Sequence, residues 1–507
     1  MKAAEIIMKP SKSRKTDTVT PRRLAEERAL QAQFSGYRGV DERYLHAGQA
    51  ALERFWDWKF GIRIHWSVYS ITGIGPESWP LTSGENATPT FREQYEELYK
   101  WWNPSRFDAD EWTDLMRRAG MRFFSFTTKH HDGFSLFATR TKVRRRRVHA
   151  GPDAGKIVPC NLHYSIMEGP YKRDIVRELV RAARRRDLGV SLYFSHIDWF
   201  DSDFRIDQWN YQRDAAYTRQ SDPAGFARMT ARHREQLREL CTNYGPLDML
   251  SLDMNFPPDA ATDRELVETV KMMRRLQPSM MIRQRGIGPY GDYATPECYV
   301  PVSAASAADG CISGGAAAAV VEQRPWKVIF PGGRHFSHIW NDAYKPAAWI
   351  IETLADVAAK GGVFQVGYGP GPDGHFDAQV VSRLEEAGDW LKVNGEGIYA
   401  TRPFRAVGEG SEVRYTRSKD GKHVYAIMLR WPAPQFGLGE LRLREVRARP
   451  GSAIRLLGRR EPLRWKQDAQ SLRIELPEAL RDEARRPSRY ASIFKIEVAD
   501  KNERAHG

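Results

Sequence analysis

The chain is short of cysteine, of acidic residues relative to basic ones, and of long apolar runs, and each shortage excludes something. Four cysteines, Cys160, Cys241, Cys298 and Cys311, are spread over 507 residues. So few cannot staple a disulfide scaffold, and their spacing fits neither a zinc site nor a redox pair. Free, mostly buried thiols are expected. No stretch approaches the roughly 18 apolar residues of a spanning helix, so no membrane span is expected. Behind its basic N-terminus the chain has no apolar segment of signal-peptide length. As written, it is expected in the cytoplasm; a different start would make it periplasmic or secreted. Acidic residues number 64 against 78 basic ones, a net charge of +14. Nucleic-acid binders carry such charge, but here the cations are scattered or sit in short runs such as Arg144–Arg147, and no nucleic-acid module accompanies them. A general arginine bias is the expected cause, with no nucleic-acid partner. A basic patch beside a site would instead favour anionic glycans.

What is present points to a large α/β protein. The length suits two or three domains, and apolar residues at 41% can fill a sizeable core. Fifteen tryptophans are many; most should pack cores, but an indole face also covers the C–H face of a pyranose. Residues 1–45 read as a polar tail, with one helix around Arg22 to Gln33. Over 46–402, short apolar runs alternate with helical ones. Strands are expected at Phe60–His65, Met121–Thr127, Gly189–Phe194, Leu247–Leu252, Met280–Ile282 and Val363–Val366. Helices are expected at Asp108–Ala119 and Arg173–Arg186. This rhythm predicts a parallel sheet with crossover helices, closed at this length into a (β/α)8-type barrel. Over 403–507, short alternating runs between turn-rich segments predict a β-sandwich. Two segments break the rhythm: Thr139–Pro170, a basic insertion after the second strand, and Ala304–Val320, rich in Ala, Gly and Ser, which reads as a mobile loop.

Chemistry-bearing residues recur at the C-terminal ends of the expected strands, where barrel enzymes build their sites. His65 follows the first, Lys129-His130-His131-Asp132 the second, Ser195-His196 the third, Asp253 the fourth and Arg283-Gln284-Arg285 the fifth. Singly, each has a plainer explanation. A strand-end histidine is often structural, and Asp253 could cap the following helix. His130 and His131 could bind metal. Neighbours on a strand face opposite ways, however, so a shared ion would need a bend there, and no carboxylate-rich set accompanies them.

The order of these motifs resembles the α-L-fucosidases of glycoside hydrolase family 29. Phe55–Tyr69 (FWDWKFGIRIHWSVY) is similar to the family's W-x-x-x-K-F-G-x-F-x-H-W-G. Thr127–Phe134 matches T-x-K-H-H-D-G-F, its most specific signature. Arg173–Val176 with Leu192–Ser195, and Asn394–Tyr399, match R-D-[ILV]-V, L-Y-x-S and N-G-E-x-I-Y. The resemblance runs from about residue 50 to 405. It implies retention through a covalent glycosyl-enzyme, a carbohydrate substrate, and no metal or organic cofactor. It implies Asp253 as nucleophile, in the place of the W-x-D-G aspartate. His65, His130 and His131 become ligands of sugar hydroxyls, Tyr193 a neighbour of the nucleophile, and Arg285 the arginine after the next strand. Gly291–Glu297 fits G-D-Y-x-T-x-E, which makes Glu297 the acid/base, expected on a flexible loop beside the barrel mouth. Glu77 and Glu93 are its nearest competitors.

Three motifs depart from the family. Ser251 and Met254 stand where W-x-D-G has tryptophan and glycine. Glu77-Ser78-Trp79 is what remains of E-W-Y, with Glu77 and Trp79 as sugar contacts. Gly361–Gly367 replaces G-G-N-x-L-L-N. A changed wall is compatible with fucose, with another L-sugar of the same ring geometry, or with a non-catalytic glycan-binding relative.

Overall fold

The computed structural model describes residues 44–256, 262–301, 310–311, 325–431 and 439–499. The expected helix at Arg22 to Gln33 lies outside the described residues, and so does the Ala304–Val320 segment apart from Gly310 and Cys311.

The first strands are β1 (Phe60–Ile64), β2 (Phe123–Lys129), β3 (Val143–Arg147), β4 (Ile157–Leu162), β5 (Gly189–Ser195) and β6 (Met249–Asp253). They are followed by β7 (Met281–Ile282), β8 (Pro296–Glu297), β9 (Gly310–Cys311), β10 (Lys327–Pro331) and β11 (Val363–Tyr368). All but β3 and β4 lie in one sheet, ordered β7-β6-β5-β2-β1-β11-β10-β8-β9, and every pairing in it is parallel. A parallel bridge from Arg283 to Tyr293 joins the β7 end to the β8 end, with the Gln284 N–H donating to the Tyr293 carbonyl at 3.0 Å. The sheet thus curls round so that eight of its nine strands, from β7 to β8, form a ring, with β9 paired to β8. Strands β1, β2, β5, β6 and β11 are buried along their whole length, as strands covered on both faces must be.

The crossover helices follow from their caps and apolar stripes. Asp108 accepts hydrogen bonds from the Asp110 and Glu111 N–H groups, starting the helix Ala109–Arg118, which buries Trp112, Leu115 and Met116. Asp174 caps Ile175–Arg185 in the same way, so the R-D motif starts a helix and lies away from the chemistry. The helix Gln49–Trp58 plugs the N-terminal end of the barrel, with Ala51 and Phe55 packed on Phe123, Met249, Met281, Tyr293 and Val363. All ligand chemistry is therefore left to the opposite, C-terminal end.

The insertion at Thr139–Pro170 is an antiparallel hairpin, β3 on β4. Its basic run is consumed locally: Arg145 pairs with Asp203 and Asp222, and Arg146 with Glu93 and Glu96. Beyond the helix Ala378–Asn394 come β12 (Arg402–Glu409), β13 (Val413–Arg417), β14 (His423–Met428), β15 (Glu440–Leu443), β16 (Arg455–Leu456), β17 (Trp465–Gln467), β18 (Leu472–Glu475) and β19 (Ser492–Glu497). They form two antiparallel sheets, β12-β13-β14-β19-β16 and β15-β18-β17. The sheets share a core that includes Tyr415, Leu443, Leu472, Ile474 and Phe494. Among the described residues no helix is long and apolar enough to cross a membrane.

Candidate active site

A cavity of about 530 Å³ opens at the C-terminal end of the barrel. His65, Glu77, Trp79, His130, His131, Asp253, Arg285 and Glu297 all line it. Tyr193 stands beneath, and its hydroxyl donates to Asp253 Oδ2 at 2.5 Å. All nine candidate residues thus converge. Glu93 does not: it holds Arg146 and the His149 N–H on the hairpin side. One expectation needs correction. Glu297 lies on no flexible loop but ends a barrel strand, in register with Ile329 of β10.

The carboxylates are organised by two arginines that sit two residues apart and so share one face of the chain. Arg285 Nη1 lies 2.7 Å from Asp253 Oδ1 and 3.0 Å from Glu297 Oε1. Arg283, fully buried, donates to Glu297 at 2.8 Å and lies 3.7 Å from Asp253. Burial alone would push the Asp253 carboxyl up, but Arg285 and Arg283 outweigh it and hold the group well below the usual carboxylate range. Asp253 is therefore a standing anion. Glu77 behaves in the opposite way. Burial pushes it up to about 8, the Ser337 N–H on its Oε1 opposes this, and Asp253 and Glu297 add to it. At neutral pH Glu77 is mostly protonated.

The histidines are neutral and oriented. Burial, with the neighbouring Arg63 adding to it, holds His65 well below its ordinary value; burial does the same for His130 and brings His131 to about 3. Arg63 Nε donates to His65 Nε2 at 2.7 Å, which places the His65 proton on Nδ1. Ser78 Oγ holds His130 Nδ1 at 2.6 Å, and Ser195 Oγ holds His131 Nδ1 at 2.8 Å. A bulge between Thr127 and Lys129 ends β2 just before the pair, so the two rings do not take opposite faces; their centroids lie 3.8 Å apart. Gly133 of the same motif has φ +84, and a Cβ there would meet Asp198 at 2.1 Å. Among the described residues no group of three or more His, Cys, Asp or Glu is placed to hold a metal ion.

Arg63, Ser78 and Ser337 were not anticipated, and Arg283 and Ser195 were expected at strand ends but without a role. Arg63 and Arg283 had a signal. Each is a charged residue in a buried strand run or directly after one, two positions before a candidate and so on the same face. Ser78 and Ser337 carried none, because a hydroxyl is as common in turns as in sites.

The α-L-fucosidase family description matches residues 40–396, and that of the α-L-fucosidase C-terminal domain matches 410–497. The chain belongs to the α-L-fucosidase family. It is 28% identical to the plasma α-L-fucosidase of Rattus norvegicus over 445 residues, covering 83% of this chain and 86% of that one. With the Homo sapiens plasma α-L-fucosidase it shares 27% identity over 83% of this chain and 84% of the other. The solved α-L-fucosidase isoenzyme 1 from Paenibacillus thiaminolyticus superposes with a TM-score of 0.71 at 26% identity, covering 89% and 99% of the two chains.

Two departures from the fucosidase motifs now have a physical account. The place of the motif tryptophan, two residues before Asp253, faces the barrel interior; here Ser251 Oγ meets the Tyr293 hydroxyl at 3.0 Å and Lys327 Nζ at 3.3 Å, and these two side chains occupy the interior beside it. The place of the motif glycine has φ 62, the left-handed region that costs a side chain about 1–2 kcal/mol. Met254 bears that cost while its N–H donates to Asp253 Oδ1 at 2.9 Å. Met254→Gly should therefore melt higher than Met254→Ala by about 1 kcal/mol of stability, since only glycine relieves the strain. Paired thermal melts test this; an alanine variant as stable as the glycine variant would remove the strain argument.

Proposed function

We propose that this protein is a retaining exo-glycosidase that releases α-L-fucose, or a closely related L-sugar, from glycans by double displacement. The observation that carries the reading is the guanidinium nitrogen shared by two carboxylates. Because Arg285 Nη1 touches both, the facing oxygens of Asp253 and Glu297 lie no farther apart than two short ion pairs laid end to end. Retention needs carboxyl groups about 5–5.5 Å apart, whereas inversion leaves room for a water at about 6.5–9.5 Å. Asp253, kept anionic, attacks the anomeric carbon. Glu297 protonates the leaving oxygen and then activates the water that releases the sugar. His65, His130, His131, Glu77 and Trp79 hold the ring. The catalytic unit is 46–402, and 403–507 is the accessory β-domain. An intact pair of carboxylates favours an enzyme over a glycan-binding relative. The test is a panel of aryl glycosides followed by NMR of the first product. Cleavage of the aryl α-L-fucoside with retention supports the reading; no cleavage, or inversion, ends it.

A second reading of one role rests on protonation. Glu297 is engaged in two ion pairs, while Glu77 lines the same cavity and carries a proton at neutral pH. In that reading Glu77 is the acid.

The histidines act as sugar ligands. A buried hydrogen bond is worth about 0.5–1.5 kcal/mol, more when a partner is left unsatisfied. Replacing His130 or His131 by alanine should therefore lower kcat/KM about tenfold or more, and EDTA should leave the rate unchanged. Loss of activity on chelation, restored by added metal, would overturn the assignment.

A further inference from the structure

We propose that Trp209 is the platform of an aglycone subsite and makes the enzyme selective for fucose attached to a second pyranose. The inference rests on the fucosidase reading above. Trp209 lines the cavity, yet the residue is 44% exposed. The chain on either side of it is fixed. Asp207 accepts from the Trp199 indole N–H at 3.0 Å, Asn210 Nδ2 donates to the Phe204 carbonyl at 3.3 Å, and Gln212 Nε2 donates to the Trp199 carbonyl at 2.5 Å. Those three polar side chains are all buried. An exposed ring between buried anchors is a pre-set surface, so little ordering cost remains when a ligand lands on it.

The ring is tied to the sugar-binding end. Trp209 meets Trp79 edge to face at 5.9 Å, and Trp79 meets His131 in the same way at 5.2 Å. One aromatic series therefore runs from the histidines outward to solvent. Even at about 30 Å³ for each heavy atom, the volume of a whole water in the liquid and more than a covalently bonded atom takes up, a single deoxyhexose leaves more than about a third of the cavity of about 530 Å³ free. The same lining includes Ser83, Arg334 and His335 as polar groups, beside Pro76, Ile329, Pro331 and Phe336 as apolar ones. A flat apolar face with polar groups around it fits a pyranose whose C–H groups lie on one side, as in a galactoside, better than an alkyl group.

The experiment compares α-L-fucosyl fluoride, which has no second ring, with an α-L-fucosyl-galactose disaccharide. Trp209→Ala should lower kcat/KM on the disaccharide about tenfold or more, mainly through KM, with less than about a twofold change on the fluoride. Trp209→Phe should recover much of the loss. An equal fall on both substrates, or none on the disaccharide, overturns the subsite while wild-type turnover of the fluoride leaves the fucosidase reading standing. A wild type that turns over neither substrate overturns both.

Discussion

Asp253→Ala should lower kcat by about 10⁴-fold while the protein stays folded. The nucleophile forms the glycosyl-enzyme itself, so nothing else in the cavity can replace it. Folding should survive because Arg285 and Arg283 keep Glu297 as a partner, and Asp253→Asn, close in shape, is a second variant if the alanine form is unstable. Azide fits the space of the lost carboxylate. It should restore part of the turnover on an activated aryl substrate and give the β-glycosyl azide, the product of a single inversion. The acid limb of the rate profile should not report Asp253 above about pH 4, since the two arginines hold it ionised there. A folded Asp253→Ala protein with near-wild-type activity would refute the assignment.

Much of this site was legible because barrel strands end where the chemistry begins. His65, Asp253 and Arg285 could be placed from strand runs alone, since a ring of parallel strands brings every C-terminal end to one mouth. The family pattern then supplied roles that position could not. The strands that escaped notice explain the misplacement of Glu297. Strand β8 is two residues long and contains a proline, too short to show a period, and β10 follows a segment of Ala, Gly and Ser that masks its start. Without them Glu297 read as a loop residue. The second layer was hidden for another reason. Arg63, in a fully buried strand, and Arg283, just after one, are buried charges, tolerated only because a histidine and a carboxylate accept their hydrogen bonds. A one-dimensional reading sees the charge but not the partner. Ser78 and Ser195 gain meaning only once the chain brings them against His130 and His131.

Glu297→Ala should separate substrates by their leaving groups. A general acid matters most when the departing oxygen is basic and hardly at all for dinitrophenolate, which leaves without a proton. On kcat/KM, which reports glycosylation, the natural glycoside should lose about 10²–10⁴-fold and the dinitrophenyl glycoside far less. Glu77→Gln should instead lower both substrates by a similar factor, as loss of a sugar ligand does. It also has a stability signature. The folded-state value of Glu77, about 8, stands above the ordinary 4.5, so its stabilising contribution is complete below about pH 4.5 and is lost as pH rises through 8. Over that window the glutamine variant should gain on wild type in thermal melts by an amount on the order of a few kcal/mol. If the two kinetic patterns are exchanged, with Glu77→Gln sparing the dinitrophenyl substrate and abolishing an alkaline limb near pH 8, the proton comes from Glu77. Glu297 would then be the ion-paired carboxylate that fixes Arg285 against the nucleophile.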